Sequence, residues 1–436
     1  MTALARRWLS GDERTVGLLL AVGLLTMAFF RLDNLRHDLG VPAGPAVPLA
    51  TVVVAAALAW WSLLPRGFVW LEPAVLTWRD FSGDRSRVVG QRLVAGWIFR
   101  QLALGYLLAV LAALVAAPAV WTVAGVAVVF GAGLLALGVV RGPAGRGLSR
   151  HLVERAALLV LALVAVAVRP GPVVLLVAAG VMTAAAVPLL AGSGAPGRPR
   201  VAQAGRRDLV DGWRDRVLRT SGLQFLDLGL LLPAARPVGR TASLRGHLGF
   251  ALAGVRGRAR HLPTAGLLAL AAVVVHLEFP NLGHLAVFGL AGYLAMVPLA
   301  GGLGELWRSP GRRRWVVRSD TALRADHLVV LTGLAVAWAA VAAGVAAVAG
   351  QPWHATVLLT VPLMAACAVR TVSRPQPTYD NLAQVDTPFG AVPARLILQT
   401  LRGPDVGALG VLLLAALPAY AGAVVVALVV AFCVLR

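Results

Sequence analysis

WRSPGRRRWVVRSDTALRADHLVVLTGLAVAWAAVAAGVAAVA, residues 307–349, places an arginine-rich connection directly before a run, 327–349, with no arginine or carboxylate in it. A helix that crosses about 30 Å of hydrocarbon needs about 20 apolar residues, within a range of about 17–25. The run is long enough to cross, and the same alternation recurs outward in both directions. Candidate spans fall at 15–32, 46–64, 93–117, 119–140, 152–169 and 171–191, then at 263–280, 282–302, 327–349, 351–369, 405–418 and 419–435. The last two are short and separated only around Pro418, so they are either two spans or one re-entrant hairpin. Composition agrees with a lipid setting. The chain is 59% hydrophobic and 14% charged over 436 residues, with a mean hydropathy of +0.80. A water-facing surface of that size needs more charge. The predicted fold class is all-α: a polytopic integral membrane helix bundle of about 12 transmembrane helices.

Charge orients the stack. The net charge of +21 comes from arginine alone, since the chain has no lysine. Arginines collect in 65–92, in 141–150, in 192–262 (thirteen Arg against four Asp) and in 303–326. The connections at 33–45, Pro118, Arg169-Pro170, Pro280-Asn281 and Gly350-Gln351 are short and nearly neutral. By the positive-inside rule the basic connections and both termini are cytoplasmic, in a multi-pass protein of the cell membrane. Arg6, Arg7 and Arg14 precede the first apolar run, which ends in Phe29-Phe30-Arg31 without a small-residue cleavage site. It is read as a retained span.

These features also exclude functions. A pI near 11.7 on its own points to nucleic acid, but these arginines lie between apolar runs, where anionic lipid headgroups are the nearer partner. Without lysine there is no P-loop, so any ATP hydrolysis belongs to another polypeptide. Cys367 and Cys433 lie in apolar segments and form no disulfide framework or metal signature. No cofactor or metal is expected. Asp80, Asp84, Glu72, Asp320, Asp326 and Asp386 sit among arginines, where an ordinary ion pair or a solvated loop explains them, so no enzyme is predicted.

The basic segment 192–262 divides the chain into a first six-helix half, 1–191, and a second, 263–436. In each half a Trp- and Arg-bearing connection leads into a hairpin of long spans, an arrangement that duplication produces in transporters. Trp70, Trp78, Trp307 and Trp315 suit the headgroup zone. Leu223–Ala235 is apolar but would extend only about 20 Å as a helix. It reads as a short helix on the inner surface, a coupling element or a shallow insertion.

Few ionisable residues fall within spans. Arg100 lies roughly eight residues inside the third and either snorkels to the inner surface or meets a substrate or ion. His276, Glu278 and His284 gather near the outer end of the seventh and eighth spans. His276 and Glu278 are two residues apart, however, and do not share a helix face.

The last basic connection carries VDTPFGAVPARLILQTLRGPDV, residues 385–406, whose prolines and glycine favour turns. Structural closure and partner docking are both open for it. Asp386, Thr387, Pro388, Gly390, Val392 and Pro393, followed by Arg402, Gly403, Pro404 and Asp405, match D-T-P-x-G-x-[VI]-P and R-G-P-D. In this the chain resembles the C-terminal signature of a family of uncharacterised actinobacterial polytopic membrane proteins. Trp78, Ser82 and Arg85 match a second feature of that family in degraded form, without its proline. The first half is also similar to permease subunits of ABC-2 type exporters, in which an amphipathic coupling helix precedes a long hairpin and a separate ATPase docks below. The resemblance implies docking elements at 66–92 and 304–326. It implies a permease subunit that needs an ABC ATPase. Membrane lipids, from the placement of the arginines, and a second copy of the chain are the further partners expected. The alternative is a non-catalytic membrane scaffold or assembly factor of an envelope system.

Overall fold

A computed structural model of the chain describes residues 32–39, 70–114, 117–141, 171–191, 205–224, 247–279, 281–374, 384–387, 390–393 and 401–435, with single positions at 23, 26, 232 and 235. These residues are helical almost throughout. The first set comprises α1 (Leu32–Leu39), α2 (Pro73–Ser82), α3 (Arg85–Leu114), α4 (Ala119–Arg141), α5 (Pro172–Ala191) and α6 (Arg206–Gln224). The second comprises α7 (Gly249–Arg256), α8 (Leu262–Glu278), α9 (His284–Trp307), α10 (Pro310–Arg314), α11 (Asp320–Val348), α12 (Val357–Val372), α13 (Pro404–Ala416) and α14 (Ala419–Leu435). A two-stranded antiparallel hairpin, β1 (Gln384–Thr387) with β2 (Gly390–Pro393), falls between α12 and α13. It pairs Asp386 with Ala391 and Thr387 with Gly390.

Six helices among the described residues are long and apolar enough to cross a membrane, and they match the third, fourth, sixth, seventh, eighth and ninth expected spans. The expected spans at 46–64 and 152–169, and nearly all of 15–32, lie outside the described residues, as does most of Leu223–Ala235. The last three expected spans form shorter helices of 16, 13 and 17 residues. At 1.5 Å per residue α13 extends about 20 Å, well short of the hydrocarbon thickness.

The helix starts differ from the hydropathy reading for local reasons. α3 begins at Arg85 rather than 93, immediately after a turn at Gly83 with φ 72°. Its first turns therefore carry arginines that hydropathy assigned to a loop. α11 begins at Asp320 rather than 327: the Ser319 hydroxyl accepts a hydrogen bond from the Ala322 amide at 3.2 Å, and Asp320 sits in the first turn. Both features favour a helix start. α12 starts late, at Val357, after the non-helical residues 351–354 and a turn at 355–356.

The main core lies among α8, α9, α11 and α12 and includes Leu270, Met296, Leu299, Leu331 and Met364. Trp338 on α11 buries its ring there, and its indole N–H donates to the Ala265 carbonyl of α8 at 2.8 Å. A buried indole needs such an acceptor. α13 and α14 close against α9 and α12 through Leu285, Leu363, Leu414 and Val426. In the first set α3, α4 and α5 share a smaller core around Leu108, Val128 and Leu175. Trp97 on α3 donates to the Gly133 carbonyl of α4 at 3.0 Å. The outward valines of α5, among them Val173, Val177 and Val181, are exposed. In water such a face is unfavourable, whereas lipid accepts it.

Candidate functional site at the basic ends of the helices

Because α8, α9, α11 and α12 alternate in direction, arginine collects at one end of the second set and histidine at the other. The basic end is assembled from the start of α8, the end of α9, the start of α11, the end of α12 and the start of α13.

Arg258 is the deepest charge there. It lies between α7 and α8, is fully buried, donates to the Gly254 carbonyl at 3.1 Å and pairs with Glu305 near the end of α9. Burial pushes its guanidinium below the ordinary arginine value, and the charge and hydrogen bond of Glu305 oppose that shift. The space it occupies exists because α9 carries Gly301 and Gly302 at this level. A Cβ on Gly301 would lie 2.7 Å from Arg258 Nε, and one on Gly302 would lie 2.8 Å from the Gly254 Cα of α7. Small residues let the backbones approach this closely. Glu305 also accepts the Ala235 amide at 3.2 Å, which ties the far end of the 223–235 run to the basic end of α9.

The connection between α9 and α11 is fastened by its own arginines. Arg313 holds Asp320 at 2.8 Å and donates to the Val316 carbonyl, while Arg318 pairs with buried Asp326 at 2.8 Å. These bonds turn outward Trp315, which is 87% exposed, and Val317, which is 97% exposed. α2 in the first set shows a similar pattern. Arg85 and Arg206 both reach Asp80, and Arg206 also donates to the Thr77 hydroxyl. Trp78 and Phe81 are left 75% and 84% exposed. Trp70 has two guanidinium groups over its ring, Arg92 at 4.3 Å and Arg216 at 4.7 Å from its ring centre. Together with Leu71, Leu76, Val89 and Leu209 it holds α6 against α2 and α3.

The R-G-P-D sequence of residues 402–405 seats α13 on α12. Gly403 has φ 114°, a region that favours glycine, and a Cβ there would meet Thr371 Oγ1 at 2.0 Å and the Cys367 carbonyl at 2.9 Å. Asp405 accepts the Gly403 amide at 2.7 Å and faces Arg370 at 3.8 Å. Thr371 donates to the Cys367 carbonyl and meets the Tyr293 hydroxyl of α9 at 3.0 Å.

The sequence-predicted residues are thus divided between places. Trp78, Ser82 and Arg85 belong to the α2–α3 corner, where the Ser82 hydroxyl bonds locally, to the Arg79 carbonyl at 3.3 Å. Arg100 is half-buried along α3. Asp386, Gly390 and Pro393 lie in the hairpin, and Pro388 lies outside the described residues. Asp405 faces Arg370 of α12, and Arg402 lies in the turn before α13. Sequence reasoning missed Arg258, Glu305, Arg324, Arg370 and Thr371. Their only signal is a polar residue at the edge of an apolar run, which many other positions share.

At the opposite end His276, His284 and His354 meet, although His354 was not grouped with the others from sequence. His284 and His354 stack with ring centres 4.4 Å apart, and His276 stands 6.1 and 6.0 Å from them. His284 Nε2 bonds the Thr356 hydroxyl at 3.0 Å. The two stacked rings lie face to face, 20° from parallel. Among the described residues no group of three His, Cys, Asp or Glu side chains is arranged to hold a metal.

No family model, curated protein or solved structure matches the chain. Its class is defined by the helices alone: among the described residues, an all-helical bundle, apart from one short hairpin, with several helices long and apolar enough to span a membrane.

Proposed function

We propose that the chain is the permease subunit of an ABC-2-like exporter, non-catalytic itself and driven by a separate ATPase. In this reading it crosses the cell membrane about twelve times in two six-span halves. The basic helix ends and both termini face the cytoplasm. The observation that supports the reading is a repeated arrangement. α2 presents exposed Trp78 and Phe81 directly before the long α3, and the 308–319 connection presents exposed Trp315 and Val317 directly before the long α11. Each is an arginine-anchored element with an uncovered aromatic face on the basic side, suited to a cytoplasmic partner or to the headgroup layer. The absence of any lysine leaves nucleotide hydrolysis to another chain.

The experiment is affinity purification of the tagged chain from native membranes, followed by mass spectrometry. An ATPase should co-purify, and W78A/F81A or W315A should reduce its recovery. Recovery of envelope-assembly proteins with no ATPase would instead select the scaffold reading. Thiol labelling of single cysteines placed at Trp315 and in 192–262 tests orientation: reaction from outside intact cells would overturn the cytoplasmic assignment.

A further inference from the structure

Three imidazoles converge at the end of the second set opposite the arginines, and each comes from a different segment. His276 lies in the last turn of α8, His284 is the first residue of α9, and His354 lies in the non-helical stretch before α12. The His284 and His354 rings stack 4.4 Å apart, and the His276 ring stands 6.1 Å from the first and 6.0 Å from the second. Phe288 meets His276 at 6.1 Å and Trp353 at 5.4 Å, and the Thr356 hydroxyl bonds His284 Nε2. The cluster therefore fastens the end of α8 and the start of α9 to the connection before α12.

Imidazole is the side chain whose ordinary titration falls between pH 5 and 8. Neutral rings pack face to face or edge to face without repulsion, and one proton leaves its neighbours uncharged. A second proton places two like charges within the same 4.4–6.1 Å. His276 and His284 are half-buried, so that repulsion exceeds its value in bulk water. His284 adds a further opposition, because it opens α9, where the helix N-terminus already carries partial positive charge.

The packed elements bring few other charges. α9 has no further ionisable side chain before Tyr293, α12 has none before Cys367, and residues 328–349 of α11 have none. α8 carries one other, Glu278, two positions beyond His276. α1 reaches the same end through Leu32, which packs with Phe279, but its charges are engaged elsewhere. Arg36 pairs with Asp33 and donates to the Leu114 carbonyl of α3, and His37 lies beside Asp38. The charges that act on His276 and His284 are those of the histidine cluster itself.

We propose that His276, His284 and His354 form an acid-released latch. It holds the ends of α8, α9 and α12 together while at most one ring is protonated, and it lets them part when a second ring takes up a proton. Parted rings accept protons without mutual repulsion, so acid favours the open arrangement and neutral pH the closed one. The proposal depends neither on an ATPase partner nor on which side of the membrane this end faces.

Asn281 and Ala355 are exposed positions on either side of the latch. The full chain carrying Asn281→Cys and Ala355→Cys is spin-labelled in detergent, where buried Cys367 and Cys433 stay unlabelled. Dipolar coupling between the labels is measured at about pH 8 and at about pH 5. The coupling should weaken in acid and recover on return. His284→Gln combined with His354→Gln leaves one ring and should abolish the change, whereas His37→Gln on α1 should preserve it. A second label pair at the basic end, Thr321→Cys with Leu401→Cys, should not respond. Coupling that is unchanged in acid overturns the proposal, as does a change that persists in the double Gln variant. An equal change at the basic end would mean general loosening and overturns it too. If the double variant loses its helical circular dichroism, His354→Gln alone, at an exposed position, replaces it. The change should then need a lower pH, and an unaltered midpoint overturns the proposal.

Discussion

Arg258 and Glu305 form an ion pair whose two ends have unlike surroundings: the guanidinium side chain is 1% exposed and the carboxylate side chain 30%. The pair joins the α7–α8 corner to the end of α9 at the point where Gly301 and Gly302 let the backbones close together. Removing the acid leaves a covered cation. Glu305→Ala should lower unfolding stability by about 3 kcal/mol, the low end for a broken buried pair because Glu305 is partly open to water. Replacing both residues with Met and Leu should cost less than the single change. Thermal unfolding of the detergent-purified variants measures both.

Gly403→Ala should destabilise the packing of α13 on α12. The backbone is left-handed there and the added methyl overlaps Thr371, so a loss of about 2–4 kcal/mol is expected. Asp405→Asn, which keeps an acceptor for the Gly403 amide, should stay within about 1 kcal/mol, since its pairing with Arg370 is long and half exposed. Unfolding curves for the two variants should therefore differ clearly.

Trp70→Ala removes the ring that Arg92 and Arg216 both contact. Two cation–π contacts are worth about 1–2 kcal/mol together. The visible effect should be local, with faster proteolysis within 206–224 while the second set of helices stays resistant.

Trp78→Ala with Phe81→Ala should change stability by less than about 0.5 kcal/mol, because both side chains are exposed and carry no part of the core. A large loss of thermal stability would mean that this face is covered in the folded protein by something other than solvent or lipid.

Cys367 and Cys433 are free thiols, each 1% exposed. Neither should react with maleimide until the helices unfold. The native chain then serves directly as the background for single-cysteine topology mapping, and rapid labelling of the wild type would contradict the packing of α12 against α14.

Much of the helical frame could be read from the sequence because lipid imposes a length and a polarity on each crossing. The runs at 119–140, 171–191 and 282–302 became helices close to their expected bounds. The errors came where local chemistry overrode hydropathy. Ser319 and Asp320 start α11 early, and Gln351 to His354 delay α12. The site was far less legible. Arg258 is one arginine among thirteen in 192–262, and only the glycines of α9, on another helix, make it a buried one. The R-G-P-D sequence drew notice as a signature, but its use as a seat for α13 depends on Thr371 and Cys367 in the preceding helix. His354 joins His276 and His284 only through tertiary packing.

The shortness of α13 has a consequence for whatever surrounds it. Thirteen residues reach about 20 Å against a bilayer core of about 30 Å, so a full crossing by α13 would require lipid beside the α13–α14 edge to thin locally or headgroups to dip toward the Pro418 corner, whereas a re-entrant hairpin would not. In the crossing case either response bends the leaflet on that flank alone, and the protein would then favour thinner membranes and gather neighbours that share the same mismatch.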